Sequence, residues 1–201
     1  MERVRRKGGD GLDCILIVSG SEKGRAKLQE LLAMDPSSGE TIFVRNGKQA
    51  RLFLIERDCD LCVINAPLSD EFGTDLAVHI AGKGISQVLL IVRNELADEI
   101  SEKVEKFGVF VIPRPVSPPF FWSAYKLITA AHNRMLTLQS ENQQLQNRIE
   151  DMKRIDRAKC LLVQFLNITE PEAHRFIEKQ AMDRRVTKKE IAGAILKKYE
   201  G

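Results

Sequence analysis

The side chains in this sequence best suited to metal or redox chemistry are two cysteines with CxxC spacing, Cys59 and Cys62. Such a pair binds zinc when a second pair or two histidines complete the ligand set. The chain has no second CxxC, and its three histidines are scattered. Cys62 also falls inside the apolar run 61–64, which is typical of a buried strand. We therefore interpret both cysteines as small core residues and expect no metal and no cofactor.

Other candidate residues follow five short apolar runs in the first 120 residues. The runs lie near 14–18, 41–44, 61–64, 88–92 and 109–112. Strands that are apolar throughout are typical of a parallel sheet buried on both faces, and helical patterns separate these runs. The sequence predicts an α/β domain with a doubly wound, five-stranded parallel sheet. Ligands of such a sheet bind beyond the carboxyl ends of its strands, where Ser19, Gly20, Asn65, Val92 and Arg114 lie.

A heptad pattern begins after the prolines at positions 118 and 119. From about residue 120 to 159 the chain has no proline or glycine, which predicts one long helix with a coiled-coil seam. The predicted dimerisation residues are Ile128, Met135, Leu138, Asn142, Leu145, Ile149 and Met152. An asparagine at a seam position favours a two-stranded parallel pairing. The alternative is a single long helix packed against its own sheet.

The last 45 residues predict three short helices. Thr169 with Glu172, and Thr187 with Glu190, have the spacing of capping boxes that open the second and third of these helices. A bundle of this size buries little surface by itself, so dimerisation would help to stabilise it. Phe165 and Phe176 fall on apolar stripes, and we interpret both as core residues.

Charge is distributed unevenly along the chain. The net charge of +3 combines +2 over residues 1–11, −4 over 12–120, +1 over 121–150 and +4 over 151–201. The basic residues that we expect to contact a polyanion are Arg157, Lys159, Arg184, Arg185, Lys188 and Lys189. Two of them lie in the first turn of the last predicted helix, where the helix dipole disfavours cations. An ordinary solvated surface is the alternative.

Residues 12–120 resemble a response-regulator receiver domain. The resemblance rests on the order of elements, on the stretch DLCVINAP from Asp60 to Pro67, and on Arg114 followed by a proline. It implies a flavodoxin-like (CheY-like) fold. Receiver domains have an aspartate nucleophile after the third strand, an acidic pair that binds Mg²⁺, a hydroxyl residue and a lysine.

This sequence departs from the receiver pattern at each of those positions. Asn65 stands at the nucleophile, Ser19 and Gly20 at the acidic pair, Val92 at the hydroxyl residue and Arg114 at the lysine. An amide cannot form an acyl phosphate, and the serine and glycine supply no carboxylate to hold Mg²⁺. We therefore expect a pseudo-receiver that is not phosphorylated and has no catalytic residue. It would be controlled by a protein partner or would serve as a dimerisation scaffold.

The C-terminal segment resembles an ANTAR domain, named for the AmiR and NasR transcription antitermination regulators. The matching stretches are Arg154–Leu162, Thr169–His174, Ala181–Arg185 and Lys189–Leu196. Cys160 departs from the glycine that family members often have. The resemblance implies a dimer that binds hairpins in nascent leader RNA and prevents intrinsic termination.

Together these patterns predict an RNA-binding transcription antiterminator rather than an enzyme. The predicted segments are a basic flexible N-terminus (1–11), a pseudo-receiver (12–120), a dimerisation helix (121–153) and an RNA-binding ANTAR domain (154–201). No GxGxxG, P-loop or GxSxG motif is present. The alternative is a DNA-binding transcription factor of the response-regulator type. Few cysteines and no long apolar run predict a cytoplasmic protein without a membrane span.

Overall fold

The computed structural model of the chain describes residues 11–34, 39–84 and 86–200. Residue 200 is described by its backbone alone. The chain divides into two compact units, Met1–Met135 and Leu136–Gly201. Residues 1–10 of the expected basic N-terminus lie outside the described residues. The segment boundaries given above stay predictions.

The first unit is built on one parallel sheet of five strands. The strands are β1 (Cys14–Val18), β2 (Glu40–Val44), β3 (Leu61–Asn65), β4 (Gln87–Arg93) and β5 (Val109–Arg114). Their order in the sheet is β2-β1-β3-β4-β5, and every pairing is parallel. All residues of β1 and β3 are buried, because their apolar side chains project to both faces. This topology confirms the flavodoxin-like (CheY-like) fold.

Helices cover both faces of the sheet. They are α1 (Glu22–Leu32), α2 (Gly47–Glu56), α3 (Thr74–Gly82), α4 (Ala97–Val104) and the start of α5 (Pro118–Leu166). One core cluster joins α1 and the first turns of α5 to the sheet, and a second cluster contains the buried side chains of α2, α3 and α4. The chain connects these layers so that β1, β3, β4 and β5 all end at the same edge.

The two cysteines of the CxxC spacing lie in this core. Cys59 is 1% exposed and Cys62 is fully buried. Burial raises the pKa of Cys59 to about 12, and it raises the pKa of Cys62 well above its ordinary value, so both remain thiols at neutral pH. Their interpretation as core residues is confirmed.

The second unit contains the remainder of α5 with α6 (Glu170–Arg184) and α7 (Lys188–Glu200). Their shared core consists of Ala158, Leu162, Ala173, Ile177, Ala181, Ile191, Ala192 and Ile195. Both predicted capping boxes form. Glu172 Oε2 accepts a hydrogen bond from the Thr169 amide at 2.8 Å, and Glu190 Oε2 accepts one from the Thr187 amide at 2.8 Å. None of the helices in the described ranges combines the length and apolar character that a membrane crossing requires.

Helix α5 has different neighbours along its length. Ile128 is fully buried with Phe121 and Tyr125 against the sheet, which corrects its assignment to the intermolecular seam. The three residues lie at positions i, i+4 and i+7, so one face of the helix closes the core. Met135 is partly buried, with its sulfur 3.7 Å from Gln87 Nε2. The remaining seam residues, Leu138, Asn142, Leu145, Ile149 and Met152, are exposed.

Two alanine substitutions test this division of α5. We expect Ile128→Ala to lower the free energy of unfolding of the first unit by about 2–5 kcal/mol, because it leaves a cavity in a closed core. Leu138→Ala should leave that free energy nearly unchanged, since its side chain is about half exposed. Trp122, the chain's one tryptophan, packs in this region and reports urea unfolding by fluorescence. Equal effects of the two substitutions would contradict the assignment.

Candidate functional site

At the carboxyl edge of the sheet, Asn65, the residue predicted to replace the receiver nucleophile, is held by neutral hydrogen bonds. Its side chain is 8% exposed, and Nδ2 donates to Ser19 Oγ at 3.0 Å. Ser19 Oγ in turn donates to the carbonyl of Ser21 at 3.2 Å. Gly24 allows this packing, because a Cβ there would lie 2.3 Å from Asn65 Nδ2. The network therefore fixes an amide that has no nucleophilic oxygen.

The other degenerate receiver positions lie at the same edge in different surroundings. Arg114 is half-buried, and its Nη2 donates to the carbonyl of Ala66, the residue after Asn65. Val92 is fully buried in the core and presents no polar group. Gly20 is exposed, and a Cβ placed on it would lie 3.5 Å from the carbonyl oxygen of Arg45 and 3.6 Å from the amide nitrogen of Ser69. Asn65, Ser19 and Arg114 are thus brought together, whereas Val92 only packs.

The carboxylates closest in sequence to this network are engaged in local helix contacts. Asp70 accepts hydrogen bonds from the amides of Gly47 and Lys48 at 3.0 Å each, and these bonds lower its pKa. It caps the start of α2 in this way. Glu22 is exposed and pairs with Arg25 at 3.3 Å. Among the described residues, no group of three or more histidine, cysteine or acidic side chains is arranged to hold a metal ion.

In the second unit, Arg184 and Arg185 form an exposed cationic pair. Arg184 ends α6, and Arg185 follows it in the left-handed conformation with φ of 55°. Both are exposed, and neither forms an ion pair with another described residue. The turn between α6 and α7 therefore presents two unengaged guanidinium groups to solvent.

The lysines predicted to bind a polyanion are already paired within the bundle. Lys188 contacts Glu178 of α6, and Lys189 Nζ lies 2.7 Å from Asp151 of α5. These pairs offset the unfavourable helix dipole at the start of α7, so a polyanionic ligand is not needed to explain the two cations. Their side chains remain about half exposed.

Lys159 is more firmly engaged. Its Nζ lies 2.6 Å from Glu170 and 2.9 Å from Asp156, and its side chain is 15% exposed. The hydrogen bond that Lys159 donates to Glu170, followed by the one it donates to Asp156, raises the pKa of Lys159 to about 12. Lys159 thus links α5 to α6, whereas Arg157 is exposed on α5.

Aromatic residues that the sequence pattern assigned to the core are exposed next to Arg184. Phe165 is 54% exposed and Phe176 39%. Phe165 stacks on Tyr199 with ring centroids 4.9 Å apart, and Lys198 Nζ lies 5.3 Å from the centre of the Tyr199 ring. Phe176, Arg184, Lys198 and Tyr199 also line one cavity of about 190 Å³. In the sequence, the mixture of aromatic and basic residues within one short segment was the signal that could have indicated these exposed rings.

The C-terminal unit matches a known family, and two curated proteins resemble most of the chain. Residues 143–196 match the ANTAR domain. The Transcriptional regulatory protein PdtaR of Mycobacterium tuberculosis is 28% identical over 137 residues, which are 68% of this chain and 67% of that protein. The Aliphatic amidase regulator of Pseudomonas aeruginosa is 31% identical over 124 residues, or 60% of this chain and 61% of that protein.

The first unit resembles solved receiver structures. The signal receiver domain of an HD domain-containing protein from Pseudomonas fluorescens Pf-5 superimposes with a TM-score of 0.55 at 20% identity. The match covers 67% of this chain and 95% of the other. At that identity the likeness establishes the receiver fold alone.

Proposed function

We propose that this chain, in which an ANTAR domain follows a receiver-type fold, is a transcription antitermination regulator that binds nascent leader RNA. The observation that carries the proposal is the ANTAR match over residues 143–196, together with the unengaged Arg184 and Arg185 inside it. Two proteins that are named as regulators can be aligned with 68% and 60% of the chain. The RNA would contain hairpins, and its binding would prevent intrinsic termination.

The C-terminal surface has the chemistry that hairpin loops require. Guanidinium groups form paired hydrogen bonds to phosphates and base edges, and exposed rings stack on unpaired bases. Arg184 and Arg185 supply the first function, while the exposed ring of Phe176 supplies the second. Arg157, Lys188 and Lys189 add cationic charge outside the Arg184–Arg185 pair. Lys159 is paired with Glu170 and contributes mainly to folding.

Duplex DNA fits this surface less well. A recognition helix needs long polar side chains that reach base edges in the major groove. Helix α7 places Ile191, Ala192 and Ile195 in the bundle core, and its exposed positions include Gly193 and Ala194. We therefore favour RNA over DNA, and a regulator over an enzyme.

A homodimer would cover the exposed stripe on α5. Leu138, Leu145, Ile149 and Met152 are between 48% and 64% exposed, and Asn142 lies within the same heptad register. Apolar residues repeated at this spacing are buried when two such helices pair, and the asparagine side chains then bond to each other. We place the seam from Met135 or Leu138 onward, since Ile128 belongs to the sheet core.

The receiver unit would act without phosphorylation. Asn65 offers an amide in place of a carboxylate, and its neighbour Ser19 supplies a hydroxyl where Mg²⁺ needs acidic ligands. Control of the regulator then comes from a binding event, for which a regulatory protein on the receiver surface is one candidate.

Charge reversal at the α6–α7 turn tests RNA binding. RNA captured by the full chain from cell extract should contain paired hairpins upstream of terminators, and such an RNA becomes the probe. We expect Arg184→Glu with Arg185→Glu to weaken its binding by at least about tenfold and to flatten the salt dependence, because phosphate contacts are lost. Circular dichroism should show unchanged helicity.

The matched control reverses Arg93 and Lys106, two exposed cations of the receiver unit, and so makes the same change in net charge. RNA affinity should be nearly retained in this control. Equal loss in both double variants, or stronger binding of duplex DNA than of the hairpin RNA, would contradict the proposal.

Substitutions in the α5 stripe test the dimer. We expect Leu145→Lys to shift the full chain toward monomer in analytical ultracentrifugation, because two lysines would then face each other in the seam. Leu127→Lys is the control, since Leu127 is 66% exposed but lies outside the heptad seam. A wild-type chain that sediments as a monomer at high concentration would rule out the seam.

Phosphorylation is tested by mass spectrometry of the intact chain. After incubation with acetyl phosphate and Mg²⁺ we expect no phosphoryl adduct, because Asn65 lacks a carboxylate oxygen. A phosphorylatable receiver domain treated in parallel controls for the reagent. An adduct on this chain that maps to residues 61–67 would overturn the assignment.

A further inference from the structure

A cavity of about 420 Å³ opens beside the carboxyl edge of the sheet, next to Asn65. Its walls come from the first three turns of α1, from the end of β4, and from the segment that joins β5 to α5. Pockets for small molecules range from roughly 300 to 1,000 Å³, so this space is large enough for a ligand of a dozen or more heavy atoms.

One side of the cavity is apolar. Leu28, Leu31 and Ile91 are buried side chains of the core, and each contributes to its surface. Pro115 and Val116 complete this side from the segment before α5. A hydrocarbon or aromatic group placed here would remove apolar surface from water on both sides of the contact.

The charged groups of the cavity are all cations. Lys23, Lys27 and Arg114 line it, and no aspartate or glutamate of the described part of the chain does. Lys27 Nζ forms an ion pair with Glu30 Oε2 at 3.0 Å, but both side chains are well exposed and this pair is weak. Lys23 forms no ion pair with a described residue. The cavity therefore carries an excess of positive charge.

Two polar side chains that line the cavity, Arg114 and Asn65, can form further hydrogen bonds. Arg114 Nε is buried and has no hydrogen-bond partner among the described residues. The guanidinium group is held in place because its Nη2 donates to the carbonyl of Ala66. Asn65 is more than nine-tenths buried and also lines the cavity. Because Arg114 lines the cavity, its guanidinium group can form a charge-assisted hydrogen bond to an anionic oxygen placed there.

We propose that this cavity binds a small organic anion whose apolar body lies on Leu28 and Leu31 and whose carboxylate or phosphate faces Arg114 and Lys23. Ser19 and Gly20 themselves supply no carboxylate that would repel an anion at this edge. The ligand would also contact Val116, two residues before α5 begins. This small-molecule site goes beyond the proposed RNA-binding function and does not depend on it.

Isothermal titration calorimetry of the full chain with four probes tests the proposal. The probes are 4-phenylbutyrate, phenyl phosphate, the neutral 4-phenylbutanol and inorganic phosphate. We expect at least one of the two organic anions to bind about tenfold more tightly than both 4-phenylbutanol and inorganic phosphate, because only the organic anions use both the cations and the apolar side. The better of the two identifies the preferred head group.

Paired variants locate the binding. Lys23→Gln with Lys27→Gln removes two exposed cations from α1 without disturbing the core, and it should weaken binding of that anion by about tenfold. Lys103→Gln with Lys106→Gln makes the same charge change elsewhere on the first unit and should leave binding unchanged. Absence of binding by both organic anions at millimolar concentration, equal binding of the neutral probe or of inorganic phosphate, or equal affinity in the two double variants would overturn the proposal.

Discussion

Burial of the sheet on both faces is the constraint from which the remaining structure follows. The strands are apolar on both sides, so each face must be covered by helices that the same chain supplies. The first turns of α5 provide part of one cover through Phe121, Tyr125 and Ile128. Leu138 and Leu145, farther along α5, are exposed apolar residues. A single chain therefore leaves this stripe uncovered, which is why we propose that a second copy covers it.

The carboxyl edge of the sheet illustrates how a few substitutions reverse the electrostatics of a site. Receivers gather carboxylates there, and carboxylates at close range require a metal ion to offset their repulsion. With Asn65 and Ser19 in place, the network is neutral and satisfied by its own hydrogen bonds. Arg114, Lys23 and Lys27 line the cavity beside it, without an acidic side chain among the described lining residues. An edge that suits a cation in receivers is therefore suited to an anion in this chain.

The sequence was informative wherever local chemistry determines the outcome. Strand runs, the two capping boxes and the core position of Cys62 depend on residues close in sequence, and the structure confirms them. Other outcomes depend on partners distant in sequence. Heptad spacing could not reveal that Ile128 meets the sheet, and the first-turn position of Lys189 could not reveal Asp151 on α5. The positions proposed for RNA and dimer contacts remain predictions for the same reason.

The cations predicted to contact RNA in the C-terminal bundle differ in whether they form ion pairs within it. Lys159, Lys188 and Lys189 join helices through ion pairs, each of which contributes little because the groups are partly solvated. Among the described residues the bundle core consists of eight buried side chains, and four of them are alanines. A unit of this size gains stability from whatever binds its folded form, whether a second α5 helix or a polyanion. Since Arg184 and Arg185 take no part in the internal pairs, they can contact a ligand without weakening the fold, and for this reason we propose the α6–α7 turn as the RNA contact.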